Sequence, residues 1–234
     1  MIEPERYYTN QLPHLLKNFD RDVRLIRPVL AKYFGEEPLF SLERAARQSY
    51  ADLIPQLPYI GGKQPFTQFL LSTAMLLALY RTSRANGKTL EETGQLVFEI
   101  DRAYLKAYPG FITRTLGYMN FSKFYLNRLR HRAVDSHLRR YADDYVFDFV
   151  EGDGQAFDYG VDYLECASCK FLAHQGAFEF APYICPADVL YSQTLGWGLK
   201  RTTTLAENGQ KCDFRFKRGG STQVAVPPAI QPLL

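Results

Sequence analysis

The feature that most constrains this chain is a change of hydrophobic period near Tyr145. Before it, apolar residues recur at three- and four-residue spacing, as they do on the packed face of a helix. After it they alternate, as they do on a strand with one buried face. Helices first and strands afterwards describe an α+β chain. The expected architecture is a helical N-terminal bundle packed on a four-stranded antiparallel sheet with two short helices. The division falls into a helical region, 1–143, and an α+β region, 144–234, that together make one compact unit.

Within the helical region, Val23, Ile26, Leu30 and Tyr33 recur at helical spacing, with Pro28 expected to kink the segment. Ser41 is the expected N-cap of a helix carrying Leu42, Ala46, Tyr50 and Leu53. Residues 64–85 are apolar on every side, which predicts a central, buried helix. Thr89 and Glu92 have the spacing of a capping box and open a helix ended by Pro109-Gly110. A last helix is predicted over 120–141.

In the α+β region, residues 145–152 and 156–166 read as strands joined at Gly152-Asp153-Gly154. Two short helices are predicted over 166–175 and 186–195. A hairpin follows, its strands over 198–207 and 210–217, closed by Asn208-Gly209, a dipeptide that tolerates the positive backbone angles of a two-residue turn. Pairing Glu207 with Gln210 sets Leu205 opposite Cys212, Thr203 opposite Phe214 and Arg201 opposite Phe216. A guanidinium on that apolar face needs a carboxylate, Glu165 or Asp188, or an anionic ligand. The tail from Val226, with three prolines, is expected to be irregular.

Bulk properties exclude several classes. A net charge of +3 is too small for a nucleic-acid surface, and Arg128, Arg130, Arg132, Arg139 and Arg140 spread over several helical faces. The longest apolar run, 69–80, falls short of the ~20 residues that span a bilayer. No basic-then-apolar leader is visible at the N-terminus. Four cysteines without such a leader suggest a cytoplasmic protein with free thiols or a metal site rather than a disulfide framework. The expected partner is a small molecule, with neither nucleic acid nor membrane, and a homo-oligomer is compatible with the sequence.

The chemistry-bearing residues fall in the last third. Cys185 precedes Pro186, a residue favoured at the first helical position, so Cys185 is expected near an N-cap where amides and the helix dipole stabilise a thiolate. Asp188 lies three residues on and is the expected proton handler. The plainer alternative is a packed cysteine, with Asp188 capping or pairing with Arg201. Cys166 and Cys169 have zinc-knuckle spacing, and Cys185 and Cys212 would complete a tetrahedral set. Three readings stand for these thiols: core packing, a zinc site, or a redox pair. His174, on the helix bearing Cys169, is expected at the surface or in the core, and no cofactor is expected unless zinc is bound.

Between Tyr163 and Phe216 the chain resembles the L-2-amino-thiazoline-4-carboxylic acid hydrolase family. The residues that carry the likeness are Cys169 and Phe171, the Cys185–Asp188 pair as C-x-x-D, Arg201, Thr202, Thr204 and Leu205 in RTTTLA, and Cys212, Asp213, Phe214 and Phe216 in CDFRF. A looser likeness links it to 4-vinyl reductase-type ligand-binding domains, some of which are small-molecule sensors. The first resemblance implies a hydrolase acting on carbon–nitrogen bonds, which opens a cyclic, sulfur-containing amidine to N-carbamoyl-L-cysteine. With it come expected roles: Cys185 and Asp188 catalytic, Arg201 the anchor of a substrate carboxylate, and Thr203, Cys212 and Phe214 lining the substrate. The second implies ligand or metal binding without turnover.

Overall fold

In the computed structural model, which describes residues 6–234, helices occupy the first part of the chain and a five-stranded sheet the second. The helices are α1 (Leu12–Phe34), α2 (Leu39–Leu53), α3 (Pro65–Ala85), α4 (Leu90–Lys106), α5 (Gly110–Met119) and α6 (Lys123–Ser136). On α1 the buried set is Leu15, Phe19, Val23, Ile26 and Leu30, a single stripe, and Pro28 lies on the exposed side within an uninterrupted helix. Helix α3 is buried on all sides from Thr73 to Tyr80, while Gln68, Phe69 and Ser72 in its first half are exposed. Its buried hydroxyls are satisfied locally, Thr73 donating to the Phe69 carbonyl (2.8 Å) and Thr82 to that of Ala78 (2.9 Å).

The capping box at α4 forms in both directions: Glu92 N donates to Thr89 Oγ1 (3.1 Å) and Thr89 N to the Glu92 carboxylate (2.8 Å). Two expected boundaries move. Helix α2 begins at Leu39, and Ser41 turns its hydroxyl back to the Pro38 carbonyl (2.8 Å) instead of capping. The helix predicted over 120–141 is α6 alone, capped by Ser122 Oγ, while α5 before it was not foreseen.

The strands are β1 (Val146–Glu151), β2 (Tyr159–Glu165), β3 (Leu199–Arg201), β4 (Cys212–Phe216) and β5 (Gln223–Val224), in the order β1-β2-β4-β3-β5. The sheet is mixed, since β5 pairs parallel with β3; the expected four antiparallel strands are corrected to five. Between β2 and β3 come α7 (Ala167–His174), α8 (Ala181–Ile184) and α9 (Ala187–Leu195).

The expected hairpin at Asn208-Gly209 is also corrected. Leu199 pairs with Phe216 and Lys200 with Arg215, so β3 is shifted by two residues from the expected register. The cause is side-chain capture of the backbone. Asp213 accepts the amides of Thr202 and Thr203 (both 2.8 Å), which ends β3 at Arg201. Thr204 Oγ1 then caps a 3₁₀ turn, Leu205–Glu207, that leads to Asn208 in the left-handed region. A slip of two preserves side-chain parity, so Arg201 keeps the apolar face.

One hydrophobic cluster joins the two parts of the chain, running from Leu15 and Leu77 to Phe147, Phe171 and Phe216. A smaller one, with Phe98, Val189, Leu190, Val226 and Ile230, ties α4 and α9 to the C-terminal tail. The tail is therefore packed, not loose. Among the described residues no helix is long and apolar enough to cross a membrane.

Gly94 on α4 admits the ring of Tyr183 from α8. A methyl group there would meet Tyr183 Cδ1 at 1.9 Å. Alanine normally strengthens a helix interior by ~1 kcal/mol, but that clash outweighs the gain. Gly94→Ala is expected to destabilise the protein by about 1–3 kcal/mol, read as a lowered midpoint in urea, and an unchanged or raised midpoint would refute this packing.

Candidate active site

Arg201 stands at the end of β3 with its side chain only 2% exposed. Its Nη1 pairs with the Asp188 carboxylate and donates to the Cys185 carbonyl (3.2 Å), and Nη2 donates to the Ala225 carbonyl (3.2 Å). Of the two expected carboxylate partners, Asp188 is the one found, and Glu165 is instead engaged by Arg139 and Lys170. The guanidinium also lies over the Phe214 ring, 5.6 Å from its centre. Arg201 Nε is enclosed and without a partner. So enclosed a cation reaches a ligand through Asp188, whose side chain is 29% exposed, rather than directly.

Cys185 sits beside a helix N-cap, as the sequence suggested, but at the junction of two helices. Residues 178–184 are already helical, so Cys185 is the C-cap of α8, and Pro186 is the N-cap of α9. Burial pushes its thiol well up, Asp188 adds to the rise, and Arg201 offsets it only in part. Burial thus works against the expected thiolate. Asp188 is also raised by burial, despite Arg201 beside it.

Cys212 is buried and its sulfur accepts the Leu205 amide (3.2 Å), while burial pushes the thiol up to about 11. Phe214 packs edge-on against Tyr163, 5.4 Å between ring centres. Thr203 lies in the loop held by Asp213, past the end of β3 and not opposite Phe214. His174 is exposed. The expected tetrahedral set of Cys166, Cys169, Cys185 and Cys212 does not assemble: among the described residues no three His, Cys, Asp or Glu side chains are arranged to hold a metal ion.

One feature escaped the sequence reading, Asp101 on α4. It follows Gly94, Val97 and Phe98 on the stripe that α4 buries and precedes Leu105, so an acid on an apolar face was the available signal. Burial raises its carboxyl to about 7, and the charge of Asp188 across the α4–α9 contact adds to the rise. Tyr191 from α9, pushed up to about 12, and Tyr104 on α4 both feel the Asp101 charge, and the buried Tyr104 hydroxyl has no hydrogen-bond partner. Cys166, singled out with Cys169 in the sequence, is the N-cap of α7.

Fold and site together define an α+β protein with a half-buried acid pair, an enclosed arginine and four thiols in one neighbourhood. Residues 68–216 match the L-2-amino-thiazoline-4-carboxylic acid hydrolase family, and the chain belongs to that family. The match runs from α3 to the end of β4, well beyond the segment that carried the resemblance, and takes in Asp101. No curated protein and no solved structure matches the chain.

Two consequences are measurable. A carboxyl raised from 3.8 to about 7 binds its proton more tightly in the folded state, so its contribution to stability falls as pH rises through that window. Asp101→Asn removes this loss and is expected to raise stability by about 0.5–2 kcal/mol, with the larger gain on the alkaline side. A melting curve showing the larger gain on the acid side would contradict the burial of that charge. Asp188→Leu leaves Arg201 without its counter-ion and is expected to cost about 3–5 kcal/mol. Adding Arg201→Met should recover most of that cost; a fully additive double variant would deny the ion pair.

Proposed function

We propose that this protein hydrolyses a small cyclic amidine that carries a carboxylate, with 2-amino-thiazoline-4-carboxylate as the type substrate. The observation that carries the reading is the pair of half-buried carboxylates, Asp101 from α4 and Asp188 from α9, which feel each other's charge, with Asp188 backed by Arg201. Family membership supports the reaction class. Two carboxyl groups whose surroundings hold them at different affinities for a proton are the usual means of running acid and base steps near neutrality.

The chemistry follows from the product. N-carbamoyl-cysteine keeps both nitrogens on the central carbon and frees a thiol, so the bond that breaks is carbon–sulfur, not carbon–nitrogen. Water adds its oxygen to the amidine carbon and gives a proton to Asp101. The carbon–sulfur bond then breaks, its electron pair goes to sulfur, Asp101 returns the proton to the leaving thiolate, and the proton left on the added oxygen departs to solvent as the urea carbonyl forms. Asp188, held by Arg201, accepts the amidinium N–H groups in a paired, charge-assisted contact. Arg201 is thus a positioning residue for Asp188. Cys185, a thiol beside that carboxylate, lines the site and is not the attacking group, and Phe214, Cys212 and Thr203 belong to its wall and approach.

Turnover of 2-amino-thiazoline-4-carboxylate, followed by mass spectrometry of the carbamoyl product, tests the assignment. Asp101→Asn and Asp188→Asn are each expected to lose about 10²–10⁴-fold in kcat. Cys185→Ala should stay within about tenfold of wild type, and kcat should rise with pH through about 7 as the Asp101–Asp188 pair loses its proton. A Cys185→Ala variant as inactive as the aspartate variants moves the attack to the thiol. Tight binding of the amidine with no product supports the sensor reading instead.

A further inference from the structure

Helix α7 starts with Cys166 as its N-cap, and Cys169 occupies the third helical position. Residues three apart on a helix hold their side chains over one another, with Cβ atoms about 5–6 Å apart. A disulfide needs Cβ atoms about 3.5–4.5 Å apart, so closure draws Cys166, whose N-cap backbone is extended rather than helical, toward Cys169. Both thiols are free and both residues are half-buried.

The surroundings treat the two sulfurs unequally. Cys166 is pulled down, first by the Cys169 S–H beside it and then by the Cys169 and Ser168 amides and the Ser168 hydroxyl, although its sulfur closes no formal cap bond. Cys169 is held up, and the leading cause is the Cys166 sulfur to which it donates. The first turn of α7 is fixed in place, since Ser168 Oγ lies 2.8 Å from both Thr73 Oγ1 and Tyr145 Oη. Lys170, one residue on, feels the Cys166 charge.

An attacking thiolate with a resolving thiol one helical turn away is the arrangement that thiol–disulfide exchange requires. We propose that Cys166 and Cys169 form a redox-active dithiol that reacts with low-molecular-weight disulfides of the glutathione class and closes to an intramolecular disulfide. The Cys166 sulfur attacks one sulfur of the small disulfide, forming a mixed disulfide and expelling one thiolate, which takes a proton from water. Cys166 no longer holds a charge at that point, so the influence that kept Cys169 protonated is gone. Cys169 loses its proton to the departing group as it attacks the Cys166 sulfur and releases the second thiol. In sum, two protein thiols are oxidised, one small disulfide is reduced, and two small thiols leave.

Closure also changes the neighbouring site. The Cys166 charge contributes to the raised thiols of Cys185 and Cys212 and to the raised hydroxyls of Tyr145 and Tyr163. A disulfide removes that charge from all four at once.

The test incubates the full chain with glutathione disulfide, blocks the remaining thiols with iodoacetamide, and maps the peptides by mass spectrometry. It needs no turnover assay, so its result is independent of the proposed hydrolysis. Wild type is expected to yield a peptide joined at Cys166 and Cys169 and lighter by two hydrogens, with Cys185 and Cys212 alkylated. Cys169→Ser should accumulate a glutathione adduct at Cys166, and Cys166→Ser should react at Cys169 at least about tenfold more slowly. Circular dichroism establishes that both variants fold. Equal reactivity of Cys166 and Cys185 in folded wild type, or no adduct on folded Cys169→Ser, overturns the proposal.

Discussion

The enclosed guanidinium of Arg201 is the interaction on which the C-terminal part of this structure depends. A buried cation is costly unless it is paired and its remaining donors are used. Here the donors draw four pieces of chain together: the end of β3, the Cys185 carbonyl at the α8–α9 junction, Asp188 in the first turn of α9, and the Ala225 carbonyl beyond β5. None of these segments is long. Strand β5 is two residues and α8 is four, lengths that backbone pairing alone does not hold. The guanidinium supplies the directional contacts that the short elements lack, and the tail's apolar residues then close over α4 and α9.

The same enclosure explains why the site is acidic in composition and yet reluctant to ionise. Desolvation disfavours every charged form, so carboxyl and thiol groups rise unless the donors aimed at them outweigh it. Asp101 and Asp188 rise, as do Cys185 and Cys212. Cys166 falls because several donors converge on its sulfur. A stripe of α4 that otherwise packs apolar residues gives up stability by carrying Asp101, the kind of local cost expected where a protein trades stability for function.

Much of this was legible in the sequence, and the failures share a cause. The α4 capping box is local chemistry and was readable from Thr89 and Glu92 alone. Arg201 was placed on the apolar face because side-chain parity survives a two-residue slip. The register itself was not readable, because the Asp213 carboxylate captures the Thr202 and Thr203 amides, and periodicity carries no trace of such a bond. Cys185 was misjudged for a related reason. Pro186 correctly marks a helix start, but the helical run before it was missed, so the sulfur sits at the carbonyl end of one helix as well as the amide end of the next. Cys166, with an extended backbone before α7, has the amide end to itself. Asp101 required comparing an acid with the stripe it interrupts, and no motif includes it.

The balance of charge bears on what the site accepts. Arg201 is the cation enclosed with the acid pair, and its Nη1 is committed to Asp188. Burial first, and the charge of Asp188 second, keep the proton on Asp101 up to near neutrality, since ionising both leaves one negative charge uncompensated. A ligand that brings its own positive charge restores neutrality and releases that proton, whereas an anion without one adds to the deficit. An amidine is cationic, planar and offers paired N–H groups to a carboxylate. A substrate that joins an amidinium to a carboxylate is neutral overall, so it can enter a dry site at a lower desolvation cost than a net ion and still present its positive end to Asp188. The proposed preference for a zwitterion thus rests on the count of charges at the site, independently of which ring carries them.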